Sequence, residues 1–370
     1  MGGLFTSESV TEGQSDKICD KVADAILDAY LEKDPTSHVD CEVIAYENHL
    51  KLKGNIISAA TIDHEKTARD VIAEIGYMDP DLKFDANHCG IDVDINRELS
   101  KMPETFQKRG FPDYGVVFGY ACKETPSYMP AGTEFANQLA KRLTYVRKMC
   151  IIPGLLPDGK IQVTMEYENG NPKRVDAVFI STQHRKEIRN GTLKYALNDE
   201  VISKVIPEKY IDENTKCFVD PIGDCLCGGP AVYLGATGRK IVSDTYGGYA
   251  RSSGNFMAGK DALKAERSGA YMARYLAKNI VASEYADRCE VQLCYAMGLT
   301  GPVSVHIETF GTGKMSQEEF IRMIYKKEDL SLQSVIKKFQ LNQPIYSNIS
   351  CYGYFGENAK QMPWEQITWK

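Results

Sequence analysis

The chain has 370 residues, of which 43% are hydrophobic and 25% charged, a composition typical of a soluble globular protein with two or three packed units. Its 44 basic and 50 acidic residues give a net charge of -6, which argues against nucleic acid as the main partner because phosphate backbones attract net-basic faces. No apolar run approaches the ~20 residues of a membrane helix, and "MGGLFTSES" lacks the features of a secretory signal. We therefore expect a cytoplasmic protein without membrane contact.

The first third of the chain is predicted to alternate helices and strands. From Asp16 to Lys33, apolar residues recur at three- and four-residue steps, which indicates an amphipathic helix with Asp16 at its cap or in its first turn. "CEVIAY" and "GNIISAATI" are predicted strands, and "EKTARDVIAEIGY" is a predicted helix ending near Gly76. The polar segment "INRELSKMPETFQKRGFPD" follows no period, so we interpret it as a loop or lid across a boundary near residues 98–110.

Two further units follow the same mixed pattern. One begins at "YGVVFGYA", continues through the helix "TEFANQLAKRLTYVRKM" and contains the hairpin of "KIQVTMEY" and "RVDAVFIST". The other starts around "CGGPAVYLGATGRKIVSDTYGG" and contains the helix "SGAYMARYLAKNIVAS" and the strands "CEVQLCYAM" and "VSVHIETF". We predict an α/β (α+β) protein of three similar units: an N-terminal one over 1–100, a central one over 108–227 and a C-terminal one over 228–370.

Three clusters of charged residues lie beside glycine-rich backbone. Each cluster alone is typical of a solvated surface, but the three together favour a polyanion such as a nucleoside triphosphate. The sequence has no G-x-x-x-x-G-K-[ST], so any ATP is held differently than in P-loop enzymes. The charged members of the clusters are Asp158, Lys160, Arg239, Lys240, Asp244, Lys260, Asp261, Lys264, Glu266 and Arg267.

Over nearly its whole length the chain resembles the methionine adenosyltransferase family, also called S-adenosylmethionine synthetases. The matching segments include "FTSESVTEG" with "SDKICD", "FGYACKET", "PDGKIQVT", "STQH", "TGRKIVSDTYGG", "RSGAYMARYLAKNIV", "YGYFG" and "PWE", in the family's order. The resemblance implies three α/β subdomains in a pseudo-threefold arrangement, and dimers or tetramers with active sites at the subunit interface. It also implies synthesis of S-adenosylmethionine from ATP and L-methionine, with release of phosphate and pyrophosphate and with Mg²⁺ and K⁺ as cofactors.

The resemblance also implies roles for individual residues. Asp16 matches a Mg²⁺ ligand, Glu42 a K⁺ ligand, and Glu266 replaces a metal-associated aspartate. The positions that match ATP and triphosphate binding are Asp113, Asp158, Lys160, Arg239, Lys240, Asp244, Lys260 and Lys264. The catalytic positions are Gln14, Lys160, Arg239 and Lys260, and the substrate-binding positions are Glu8, Asn55 and Tyr233.

Several departures from the family pattern fall on the amino-acid and adenosine side. The family's G-H-P-D-K is "GQSDK" here, and Gln14 in place of histidine carries neither charge nor a transferable proton. Loss of one preorganised donor costs roughly 2.7–4 kcal/mol, or 10²–10³ in rate. Asn55 replaces a glutamate and Tyr233 an aspartate, which removes two negative charges facing the methionine ammonium. Phe256 replaces a small alanine.

Three functions are open at this point. We expect a homo- or hetero-oligomer with sites at the subunit interface. The first function, which we prefer, is S-adenosylmethionine synthesis by the divergent subunit of a hetero-oligomer with a more complete paralogue. The second is an enzyme of the same fold that uses another nucleophile or hydrolyses the triphosphate of ATP. The third is a non-catalytic, nucleotide-binding regulatory or scaffold subunit.

Overall fold

Three β-sheets organise the computed structural model, which describes residues 2–99 and 110–369. The first sheet has the order β1-β6-β7-β8, with strands Gly3–Val10, Leu155–Glu168, Asn171–His184 and Lys216–Val219. The second has the order β11-β10-β5, with strands Ser304–Glu308, Arg288–Tyr295 and Gly115–Cys122. The third has the order β4-β3-β2-β9, with strands Gly90–Glu98, His49–Ile57, His38–Tyr46 and Gly235–Ala236. Only β3–β4 and β7–β8 are parallel among the pairs within these sheets.

One long helix packs against each sheet. Helix α1 (Ser15–Lys33) lies on the third sheet, α3 (Ala131–Lys148) on the first and α7 (Ala265–Ala282) on the second. This recurring helix-on-sheet unit confirms the predicted α/β class with three similar parts. The other α-helices of the described ranges are α2 (His64–Ile75), α4 (Asn190–Leu197), α5 (Ser203–Val205), α6 (Ile241–Asp244), α8 (Gln317–Lys327) and α9 (Leu332–Phe339).

The ends of α2 show why its bounds were predictable. The Asp63 side chain accepts the Lys66 N–H at 2.9 Å and caps the start of the helix. Gly76 ends the helix in the left-handed conformation, with φ 111°, which glycine adopts without steric cost. The predicted end near Gly76 is therefore confirmed.

The first strand of each predicted unit belongs to the sheet of another unit. Strand β1 pairs with β6, β5 pairs with β10, and β9 pairs with β2, so the exchange runs cyclically through the three parts. The sheets consequently do not coincide with contiguous thirds of the chain. The boundaries at 1–100, 108–227 and 228–370 stay predictions.

The loop prediction was wrong for residues 95–98, which belong to a strand. The segment that begins at Ile95 starts inside β4, which continues to Glu98 as an edge strand. Its Asp94 binds Lys53 of β3 at 2.8 Å. An exposed edge strand carries polar side chains on both faces, so its composition was mistaken for that of a loop. Most of the remaining predicted lid, residues 100–109, lies outside the described ranges.

A buried ion pair joins the C-terminal segment to α7. The Arg274 guanidinium donates to both Glu365 carboxylate oxygens at 2.8 and 3.0 Å, and Lys278 donates at 2.7 Å. Trp364 stacks on Tyr271 with ring centroids 3.8 Å apart. These contacts fix the C-terminal segment on the same helix that packs against the second sheet.

In the part of the chain described, no helix has the length and apolar content required to cross a membrane.

Glu134 of α3 makes stability depend on pH. Burial, with Glu365 and Glu357 nearby, raises its pKa to about 7, although its carboxylate accepts from Ser127 at 3.0 Å. A raised pKa adds stability that is present at low pH and lost as the pH rises through 7. Wild type should therefore lose up to about 3 kcal/mol of unfolding free energy between pH 5 and pH 8 through this group.

Urea unfolding of Glu134→Gln at both pH values tests this expectation. The variant should lack this part of the pH dependence, whereas the exposed control Glu32→Gln should keep it. An identical pH dependence in wild type and Glu134→Gln would contradict the assignment.

Candidate active site

Gln14 caps helix α1. Its Oε1 accepts the N–H groups of Asp16 at 2.9 Å and Lys17 at 3.3 Å, and its Nε2 donates to the Asp16 carboxylate at 3.2 Å. Asp16 therefore occupies the first turn, one of the two predicted places, and Gln14 is the cap. The Gln14 side chain, predicted to be catalytic, thus satisfies backbone donors that the helix itself leaves unpaired.

Removing this cap should destabilise the chain. Gln14→Ala is expected to lower the free energy of unfolding by about 1 kcal/mol, the usual cost of losing a capping oxygen. Gln14→Asn, which keeps an amide oxygen, should retain part of the stability. Chemical unfolding of the three proteins measures the difference, and a Gln14→Ala variant as stable as wild type would show that the cap contributes nothing.

Asp16 is the centre of a group of cations. Its Oδ2 accepts from Lys240 Nζ at 2.7 Å, and its Oδ1 accepts from the Ala236 N–H at 3.0 Å and lies 3.6 Å from Arg239. Burial raises the pKa of the Asp16 carboxyl, but the Lys240 and Ala236 hydrogen bonds outweigh it, and the pKa lies below its usual value. Asp16 is therefore ionised and holds both cations at one point.

A second ion pair lies next to this group, at Glu8 and Lys160. Glu8 Oε2 is 3.1 Å from Lys160 Nζ and accepts from Gln162 at 3.3 Å. A pocket of about 360 Å³ connects the two pairs, since Glu8, Gln162, Arg239 and Lys240 all line it. The side chains of Lys160 and Arg239 are 47% and 55% exposed, so both cations are open to a ligand. We call Glu8, Asp16, Asp158, Lys160, Arg239 and Lys240 the Asp16 cluster.

Asp158 links the Asp16 cluster to the loop that carries Tyr233. The Asp158 carboxylate accepts the Gly229 N–H at 2.8 Å, and the Gly229 carbonyl accepts the Tyr233 N–H at 3.0 Å. Burial raises the pKa of Asp158 to about 6. Tyr233 is 62% exposed. A large neutral ring is therefore exposed to solvent at a position that the sequence analysis predicts to bind substrate.

Five residues form a second charged group, which we call the Lys260 cluster. They are Asp40, Asp113, Lys260, Lys264 and Glu266. Lys264 Nζ lies 2.8 Å from Asp40 and 3.6 Å from Asp113, while Lys260 Nζ lies 3.7 Å from Glu266. Burial lowers the pKa of Lys264, but Asp40 outweighs it and the pKa is raised. The structure thus divides the predicted phosphate-binding residues, except Asp244, between two groups.

Glu42 and Asn55 lie on the outer face of the third sheet. Asn55 is directly opposite Asp40 in the β2–β3 ladder and accepts from Asn96 at 3.3 Å. Glu42 is opposite Lys53 and exposed. The position of Asn55 therefore places it beside the Lys260 cluster, and Glu42 is one row further along the sheet.

Asp244 is turned inward. Its carboxylate accepts from Lys17 at 2.6 Å, and the same ammonium donates to Asp20 at 2.9 Å. Asp244 thus holds the Arg239–Lys240 turn against α1 and presents no open carboxylate.

The sequence analysis did not identify Lys17, Asp20 and Asp40 as residues of the site. Strand alternation does place Asp40 on the same face as Glu42, two residues later, and so could have revealed it.

The acids present fit Mg²⁺ that arrives with phosphate. Glu266 has a buried Oε2 without a hydrogen-bond partner in the described ranges, and carboxylate oxygen is a preferred Mg²⁺ ligand. Asp16 could bind Mg²⁺ only if Lys240 released the Asp16 Oδ2 atom to which it now donates. No three His, Cys, Asp or Glu side chains among residues 2–99 and 110–369 form a metal site by themselves. Mg²⁺ commonly uses one or two carboxylates plus substrate phosphates, which suits this donor set. K⁺ at Glu42 stays a prediction.

Fold and site together define an α/β protein in which two lysines and an arginine lie around one open pocket. Family models match almost the whole chain: the S-adenosylmethionine synthetase N-terminal domain over residues 3–100, the central domain over 108–225 and the C-terminal domain over 227–366. The chain therefore belongs to the S-adenosylmethionine synthetase family, and the resemblance seen in its motifs is confirmed. Its function is of the S-adenosylmethionine synthetase type, that of an ATP-binding transferase. The family generally forms oligomers and uses Mg²⁺ and K⁺.

Proposed function

We propose that this chain serves S-adenosylmethionine synthesis from ATP and L-methionine, with release of phosphate and pyrophosphate, as the altered subunit of a hetero-oligomer with a more complete paralogue. One observation carries the proposal. The cation-lined pocket at Glu8 and Lys240 is present, while the side chain at position 14 is a neutral amide used as a helix cap. The chain therefore has cations for the phosphate groups but no charged side chain at position 14 of the proposed reaction centre.

On the phosphate side, Lys160, Arg239 and Lys240 would receive the triphosphate leaving group. Negative charge grows on its bridging oxygen as the bond to C5′ breaks, and preorganised cations stabilise that charge. Mg²⁺, when bound, supplies further neutralisation of the phosphate oxygens. Lys160 and Arg239 are already exposed, and Lys240 would exchange Asp16 for phosphate.

On the acceptor side, the chain offers neutral groups. Asn55 bonds to Asn96, and Tyr233 presents its ring to solvent. A methionine ammonium bound there would have no carboxylate at either position. An uncompensated buried charge typically costs about 3–5 kcal/mol, which a carboxylate from a partner subunit would offset.

Mixing experiments test the proposal. The chain, its paralogue and an equimolar mixture are assayed for S-adenosylmethionine from ATP and methionine, with complex formation followed by size-exclusion chromatography. We expect the mixture to form more product than the sum of its parts. A mixture prepared with Lys123→Ala, a remote salt-bridged lysine, is the control. If no preparation forms product while an authentic synthetase does, the proposal fails.

A second candidate is adenosyl transfer to another thioether or thiol, or triphosphate hydrolysis without transfer. The neutral Asn55 and Tyr233 favour it, because they leave the ammonium of methionine unrecognised. A screen of amino acids and thiols for ATP-dependent adenosylation or phosphate release distinguishes it. A scaffold role is distinguished by a partner whose rate the chain alters even when Lys160 and Arg239 are mutated.

A further inference from the structure

Lys260 is covered by an aromatic ring. The centroid of Phe256 lies 4.3 Å from Lys260 Nζ, within the range of a cation–π interaction. The Lys260 side chain is only 6% exposed, and its nearest carboxylate oxygen, on Glu266, is 3.7 Å away. Lys160 and Arg239 are about half exposed. Among these three cations, Lys260 is the one that a ligand cannot reach without movement.

The same ring also touches the other charged group. Gly238 has φ +86° and precedes Arg239, and a Cβ added to it would overlap the Phe256 ring. Phe256 therefore lies between the Arg239 turn of the Asp16 cluster and the ammonium of the Lys260 cluster. A ligand that spans both groups meets this ring.

The segment that leads to Phe256 is irregular on one side and anchored on the other, where the carbonyl of buried Met257 accepts from Arg267 at 2.9 Å. Residues 251–256 form neither helix nor strand, and an added Cβ at Gly254 would meet no atom within 4 Å. Asn255 anchors the segment by donating to Glu266 at 3.0 Å. Phe256 itself is only partly buried, unlike the aromatic residues of the core. The contacts of the ring include the Lys260 ammonium and the backbone at Gly238.

We propose that Phe256 is a positioning residue that covers the Lys260 ammonium until a triphosphate displaces it. The identity of the displacing ligand rests on the proposed function. Phosphate oxygens form charge-assisted hydrogen bonds with an ammonium, which are stronger than its contact with a ring. Binding must first separate Lys260 from Phe256, so the covered state lowers the apparent affinity.

Calorimetric titration with Mg²⁺-tripolyphosphate tests the effect on binding. Phe256→Ala should bind about 3- to 30-fold more tightly than wild type, the range that a cation–π interaction supports. Phe256→Tyr should restore the wild-type affinity. Phe310→Ala is the matched control, because Phe310 is another partly exposed ring with a cation, Arg288, 5.9 Å away. An affinity for Phe256→Ala equal to or weaker than that of wild type would overturn the inference.

Acetylation without ligand tests the cover independently of function. After limited acetic anhydride treatment, peptide mass spectrometry should find Lys260 protected in wild type and modified in Phe256→Ala, with Lys160 modified in both. Equal protection of Lys260 in the two proteins would overturn the inference. A third outcome is that Lys260 reacts in Phe256→Ala but neither protein binds tripolyphosphate. In that case the proposed function fails, and the proposed role of the cover fails with it. Equal tripolyphosphate affinities would defeat the present inference alone.

Discussion

Replacing Lys240 with alanine is expected to slow adenosyl transfer by roughly 10²–10³-fold in the active assembly and to weaken tripolyphosphate binding. Lys240 donates to Asp16 at 2.7 Å and lines the pocket with Glu8 and Arg239. Its ammonium is thus placed to stabilise the negative charge that develops on the leaving triphosphate. Its removal also leaves the buried Asp16 carboxylate with less compensation, which lowers stability.

Two comparisons separate these consequences. Lys240→Arg keeps the charge and should retain most of the binding, whereas Lys123→Ala removes a salt-bridged lysine elsewhere and should change neither quantity. Thermal unfolding identifies the fraction of Lys240→Ala that remains folded at the assay temperature. A folded Lys240→Ala variant with wild-type tripolyphosphate affinity would remove Lys240 from the site.

Gly119→Ala is expected to destabilise the fold by about 3 kcal/mol or more. Gly119 lies in β5, where an added Cβ would overlap the carbonyl group of Ala273 and the backbone nitrogen of Arg274 in α7. Backbone atoms cannot rotate away as side chains do. The strand must therefore separate from the helix, which disturbs the packing of the second sheet.

Gly254→Ala is the matched control for this substitution, because an added Cβ there has no neighbour within 4 Å. It should change the free energy of unfolding by less than about 1 kcal/mol. Urea unfolding of the two variants gives the comparison. A Gly119→Ala protein as stable as the Gly254→Ala protein would show that β5 and α7 are not in close contact.

The sequence predicted elements whose cause is local. Helix α1 follows from the spacing of Ile18, Val22 and Ile26, and α2 ends where Gly76 permits the left-handed conformation. The cyclic exchange of β1, β5 and β9 was not predictable in this way. Which strand pairs with which depends on residues far apart in the chain, and no short pattern encodes that choice.

The candidate site also has features that the sequence predicted and features that it did not. Motifs identified Asp16 as a Mg²⁺ ligand and Lys160 and Arg239 as phosphate-binding positions. In the structure Asp16 lies beside Arg239 and Lys240, and Lys160 pairs with Glu8, which lines the same pocket as these two cations. Motifs did not reveal that Gln14 caps a helix or that a ring covers Lys260. Those features arise from side-chain geometry at positions where the sequence analysis predicts departures from the family pattern, so that pattern did not predict them.

Binding of the two substrate halves to the purified chain tests the central claim most directly. Titration calorimetry is performed with Mg²⁺-tripolyphosphate and with L-methionine on wild type, Lys240→Ala and the double variant Asn55→Glu/Tyr233→Asp. We predict that wild type binds tripolyphosphate, that Lys240→Ala loses most of this affinity, and that methionine binds measurably only to the double variant. Wild type that binds no tripolyphosphate, or that binds methionine as tightly as the double variant, would contradict an equipped phosphate side beside an altered acceptor side.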